Sequence, residues 1–131
     1  MRSQEIVGVS HELTELVTRE LSADRFGNLG LHALATPALV GLIERAAMNA
    51  IESLLADGER SVGSSIQLEH LAPSPLGTTV TVRVTVEGLE GSTVLYTVEA
   101  SDSREIIARG RHSRVVVDRA RFDRVVARKA P

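Results

Sequence analysis

The stretch TPALVGLIERAAMNAIESLLADG, Thr36 to Gly58, is the one on which the fold turns. Thr36 followed by Pro37 offers a capping hydroxyl and then a proline where the first helical residue would stand, a start signal with a physical cause. Leu39, Val40, Leu42, Ile43, Ala46, Ala47, Met48, Ala50, Ile51, Leu54 and Leu55 follow. Asp57-Gly58 supplies the stop, since glycine takes the left-handed turn that ends helices. The spacing predicts a helix from about Pro37 to Ala56, apolar enough to be covered on most sides.

Outward from this helix the pattern changes to period two. Residues 61–71, 78–87, 93–101 and 105–117 alternate, separated by turn signals at 73–77, 88–91 and 102–103. Before the helix, residues 5–20 read as extended and 22–35 as turn-rich. The order is strand, long apolar helix, then four strands. An α+β fold satisfies it: an antiparallel sheet of about five strands wrapped round one central helix. Residues 1–118 form one domain and 119–131 a basic C-terminal tail with five basic side chains and one acidic one. A solvated tail is expected there, with a short amphipathic helix through Phe122, Val125 and Val126 as the alternative. Free sheet edges point to a homodimer, or a higher assembly, as the state in solution.

Composition narrows the function. The chain of 131 residues has no cysteine, which removes disulfides, thiol nucleophiles and thiolate metal sites. No metal site is expected. Phe26, Tyr96 and Phe122 are its only aromatic residues, too few for base-stacking surfaces. A net charge of −2 gives no broad field for nucleic acid. The first ten residues lack a leader pattern and no apolar run reaches bilayer length, so a cytoplasmic protein with no membrane partner is expected.

Four residues stand out chemically. On a helical projection, the neighbours of Glu44 are Pro37, Val40, Gly41, Ala47, Met48, Ile51 and Leu55, none of them polar. A carboxylate there must find a partner, take a proton or face a cavity. It is either a structural acid, paired to backbone or to an arginine across a dimer, or a reacting group. His70 shares strand parity with Val62, Ser64, Ile66 and Leu68, and so is expected to point at the helix as a satisfied core residue or as an acid–base group. Thr36 is a helix cap or a site residue. In a regular helix it stands about 12 Å from Glu44 along the axis. A shared site then needs a distorted first turn or two subunits. Arg114, on the last strand with Arg104, Arg109 and Arg111 nearby, is either part of a solvated face or a clamp for phosphate or carboxylate.

These residues sit in two blocks, Ala35-Thr36-Pro37 through Glu44 to Ala47, and Ser61-Val62-Gly63 through His70-Leu71-Ala72-Pro73-Ser74-Pro75-Leu76-Gly77. Together, with their spacing, they resemble the fluoroacetyl-CoA thioesterase family of hotdog-fold proteins, over about residues 13–118. The resemblance implies a long helix wrapped by an antiparallel sheet, and a dimer with active sites at the subunit interface. It implies a catalytic set of Thr36, Glu44 and His70. Gly63 would hold the thioester carbonyl through its backbone N–H, and Arg114 would contact ligand. No cofactor is implied, since coenzyme A is part of the substrate.

The resemblance implies an aromatic lid near the acyl group where the enzyme is fluoroacetyl-selective, and the corresponding loop from Arg25 to His32 offers only Phe26 among glycines and leucines. A short- or medium-chain acyl-CoA is therefore the expected substrate, with a carrier-protein thioester left open. Two other readings stay in view: a non-catalytic acyl-CoA-binding dimer, and a hotdog hydratase or dehydratase acting on enoyl-CoA.

Overall fold

The structure is a computed structural model that describes all of residues 1–131. Strand β1 (Ser10–Leu16) precedes helix α1 (Thr36–Ile51), and β2 (Glu59–His70), β3 (Thr79–Glu90), β4 (Thr93–Ser101) and β5 (Ile106–Asp118) follow. Helix α2 (Arg119–Lys129) closes the chain. The five strands form one antiparallel sheet in the order β1-β3-β4-β5-β2. Only β3–β4 and β4–β5 are joined by short hairpins. The chain leaves α1 into the edge strand β2 and crosses to β3 on the far side. This is the α+β wrap expected from the order of elements.

The core follows from alternation. Val80, Val82, Val84 and Val86 of β3 turn inward to meet Leu39, Ile43, Ala46 and Ala47 of α1, all buried. Complete burial of one such valine stabilises the fold by about 1.5–3 kcal/mol. Tyr96 of β4 is buried too, and its hydroxyl donates to the carbonyl oxygen of Ala47 at 2.9 Å, which fixes β4 against the middle of α1.

One local expectation is corrected. Helix α1 stops at Ile51, and a 3-10 turn over Glu52–Leu54 continues the chain before Gly58 turns it with φ +83°. In the tighter turn the Leu55 N–H donates to the Glu52 carbonyl at 3.3 Å. The C-terminal tail is the eleven-residue helix α2, the helical alternative, capped by the Asp118 carboxylate, which accepts from the Arg121 N–H at 3.0 Å. All of its residues are exposed. No helix is long and apolar enough to cross a membrane.

The irregularity that matters lies in β2. Gly63 pairs with Arg114 and Ser65 with Ser113, so Ser64 is an extra residue in a β-bulge. The bulge reverses strand parity. Ser61 and Gly63 before it, and Ile66, Leu68 and His70 after it, lie opposite the inward residues Val116, Arg114, His112, Gly110 and Ala108. Strict alternation puts Gly63 on the face opposite His70; the bulge puts both on the side of the helix.

Candidate active site

Thr36 is the first residue of α1 and Ala35 its cap; no side chain caps the helix. The Thr36 hydroxyl is engaged elsewhere, at 2.8 Å from Nδ1 of His70. The backbone brings the two together. The N–H of Leu34 donates to the Ser74 carbonyl at 2.9 Å, tying the entry to α1 to the exit from β2. Nε2 of His70 is shut off from solvent and has no hydrogen-bond partner within the chain. Burial lowers the His70 pKa below the ordinary value, against an opposing pull from the Ala72 backbone. A neutral imidazole bonded to a hydroxyl is a device for moving a proton.

Glu44 projects from the middle of α1. Its side chain is 47% exposed, so the burial expected from the helix projection is not met within one chain. The projection counts only neighbours on the same helix. Those neighbours are apolar, but Pro37, Gly41 and Met48 are themselves exposed. Oε2 of Glu44 stands 3.6 Å from Nη1 of Arg114. It also occupies the space above Gly63, where a Cβ would collide with it. Glycine at position 63 is therefore explained by close approach: it makes room for the carboxylate.

Arg114 does not lie on a solvated face; it is 4% exposed. Its Nε donates to Ser61 Oγ and its Nη2 to the Ser61 carbonyl, both at 2.9 Å, while Nη1 lies 3.3 Å from Nε2 of His112. Burial lowers its pKa, and Tyr96 and Glu44 act in the opposite direction. With its nitrogens engaged inside the chain, Arg114 presents a charge to Glu44 in place of an open fork. His112 is the residue the sequence reading passes over, although it shares strand parity with Arg114. Its Nδ1 is 2.8 Å from the Ser65 carbonyl and its ring stacks on Tyr96 at 5.7 Å between centroids. Glu44, Gly63, Ser64, Ser65, Ile66 and His112 line a concavity of about 210 Å³.

One chain thus holds two groups of polar residues. Thr36 and His70 form one at the start of α1. Glu44, Gly63, Arg114 and His112 form the other, about two turns further along the helix. The first turn of α1 is helical from Thr36 onward, so no distortion brings Thr36 to Glu44. No group of three or more His, Asp or Glu side chains is arranged to hold a metal ion.

Comparison with known proteins bears on what this arrangement does. A family model described as fluoroacetyl-CoA-specific thioesterase matches residues 17–120. The fluoroacetyl-CoA thioesterase of Streptantibioticus cattleyicolor is 37% identical over 97 residues, covering 74% of this chain and 70% of that protein. A solved structure of a fluoroacetyl-CoA thioesterase superposes with a TM-score of 0.89 at 30% identity, over 95% of this chain and 97% of the other. A hot-dog-like protein from Thermanaerovibrio acidaminovorans gives a TM-score of 0.87 at 28% identity, over 95% and 93%. A helix wrapped by a five-stranded antiparallel sheet agrees with these matches. The chain belongs to the fluoroacetyl-CoA-specific thioesterase family and is a thioester hydrolase of the hotdog fold.

Proposed function

We propose that the protein hydrolyses short- or medium-chain acyl-CoA thioesters at sites shared between two copies of the chain, Thr36 and His70 coming from one and Glu44 and Gly63 from the other. The observation that carries this reading is the separation of the two polar groups along a regular α1.

Other features agree with it. Strand β2 is an edge of the sheet, twelve residues long, with Gly63 to Gln67 exposed. An unpaired edge of that length invites a second strand. Antiparallel pairing of two β2 strands about a two-fold axis at Gln67, with Ser64 as the extra residue of the bulge, sets Gly63 opposite the partner's His70. Each site then has the carboxylate and the glycine from one chain and the hydroxyl–imidazole pair from the other.

The chemistry then follows from the groups. The Gly63 N–H polarises the thioester carbonyl and stabilises the oxyanion. The Glu44 carboxylate, oriented by Arg114, activates water or attacks the carbonyl itself. When water attacks, Glu44 takes its proton, the C–S bond breaks, and that proton passes through the Thr36–His70 pair to the departing thiolate. When Glu44 attacks, the thiolate leaves first and water then hydrolyses the acyl–Glu44 anhydride, its proton going to the thiolate. The products are a carboxylic acid and free coenzyme A. The acyl group is taken to be a short or medium chain because the loop before α1 offers Phe26 as its one phenyl ring, with Leu29 and Leu31 also exposed.

Thiol release from a panel of acyl-CoA esters, run beside Glu44→Gln and His70→Ala, tests the proposal. Turnover of short or medium chains, lost in both variants while the fold persists, supports it. No thiol release at any chain length refutes it; hydration of an enoyl-CoA would then assign the site to that reaction, and binding without turnover to a carrier role.

A further inference from the structure

The network behind Glu44 fixes the protonation of His112. The Ser65 carbonyl can only accept, so Nδ1 of His112 carries the proton it shares at 2.8 Å. The Arg114 guanidinium can only donate, so Nε2 of His112, 3.3 Å away, presents its lone pair. The ring is thus a neutral, Nδ1-protonated imidazole held between two fixed partners and stacked on Tyr96. The remaining Arg114 contacts all go to Ser61, apart from the ion pair with Glu44.

We infer that His112 is a positioning residue: its Nε2 lone pair holds the Arg114 guanidinium in the one placement that sets the Glu44 carboxylate over Gly63. This rests on the reading of Glu44 as a group of the reaction. The charged and titratable groups facing His112 are Arg114 from its own strand, Glu44 from α1 and Tyr96 from β4. From β2 it meets the Ser65 carbonyl. A proton on Nε2 would set two donors against each other and place a second cation beside Arg114. His112 therefore does its work only as the neutral ring. Burial lowers its pKa, which keeps it in that form.

The two ring nitrogens can be removed separately. His112→Phe keeps the ring and its packing on Tyr96 but loses both hydrogen bonds. His112→Gln keeps an oxygen where Nε2 stood, facing Arg114. His112→Asn keeps a donor where Nδ1 stood, facing Ser65. A carboxylate displaced by about 1 Å loses about 100-fold in rate. The Phe and Asn variants are expected to lose about 10- to 100-fold in kcat with KM within about two-fold, and Gln to recover most of that loss. Nitrogen-detected NMR of the wild-type protein should show His112 protonated on Nδ1 at neutral pH.

Several results overturn the inference. Wild-type kcat in His112→Phe does so, as does an equal loss in the Gln and Asn variants or a proton found on Nε2. Failure of all three variants to fold also overturns it, by assigning His112 to stability alone. If Phe alone fails to fold, the Gln–Asn comparison decides. Glu44→Gln in the same assay separates the two readings. Wild-type activity there removes the role of Glu44 itself, whereas an inactive Glu44→Gln beside a fully active His112→Phe removes only the role of His112.

Discussion

Replacing Gly63 by alanine perturbs the site by one methyl group. The backbone tolerates it, since Gly63 is not among the glycines with positive φ. The added Cβ would stand in the space now held by Glu44 Oε2, and close to Glu44 Cδ and His112 Cε1, at 3.3 and 3.5 Å. The carboxylate is the flexible end of a half-exposed side chain, so it retreats, by about 1 Å if ordinary contact is to be restored. A reacting group misplaced that far costs about 100-fold in rate, or about 2.7 kcal/mol in the barrier. Stability should hardly change. Arg114 keeps its bonds to Ser61 and His112, and alanine reduces the entropy of the unfolded chain by about 0.4–1 kcal/mol. The N–H proposed to polarise the carbonyl is retained. Thiol release gives kcat, and thermal unfolding followed by circular dichroism gives stability. A Gly63→Ala protein that melts like the wild type and turns over about 100-fold more slowly bears out the placement of Glu44. Wild-type kcat would refute it.

Other consequences can be checked independently. Burial lowers the pKa of His70 and His112 below the ordinary 6.5. The unfolded chain then takes up protons before the folded one, so their contribution to stability is intact above 6.5 and is lost as pH falls through the folded-state values. The melting temperature should decline on that side, and the acid limb of kcat should lie below pH 6.5; a limb above it contradicts a buried neutral His70. A Cβ on Gly110 would strike the Gln67 carbonyl and the Leu68 Cα across the β2–β5 pair, which is backbone and cannot step aside. Gly110→Ala should cost about 1–3 kcal/mol in chemical denaturation, and an unchanged midpoint would contradict the register. Truncation after Asp118 removes five cations of α2. If they attract the phosphates of coenzyme A, KM loses its salt dependence with them; retention of that dependence excludes α2 from binding.

The helix and four of the strands are legible because their signals are local. Proline in the first turn, dense apolar residues and period-two valines act within a few residues of themselves. What escapes the sequence is tertiary. The bulge at Ser64 carries no pattern of its own, and without it Gly63 and His70 fall on opposite faces. The Thr36-Pro37 pair marks the start of α1 correctly, but the hydroxyl serves His70 instead of the helix end, because β2 ends beside it. The projection identifies Glu44 as an acid among apolar neighbours, yet cannot tell a covered face from an open one. Arg114 looks like one of several surface arginines until the pairing of β2 with β5 brings Ser61 against it. His112 becomes visible only when Ser65 and Arg114 are seen to claim its two nitrogens.

Mixing two inactive proteins tests the shared site most directly. Glu44→Gln and His70→Ala homodimers each carry one lesion in every site. In a heterodimer of the two, one site collects both lesions and the other has none. Random exchange makes about half the dimers mixed, so the mixture should recover about a quarter of wild-type activity. Recovery to that level shows that Glu44 acts with the partner's His70. No recovery, from a mixture in which heterodimers are demonstrably present, would contradict a site built from two chains.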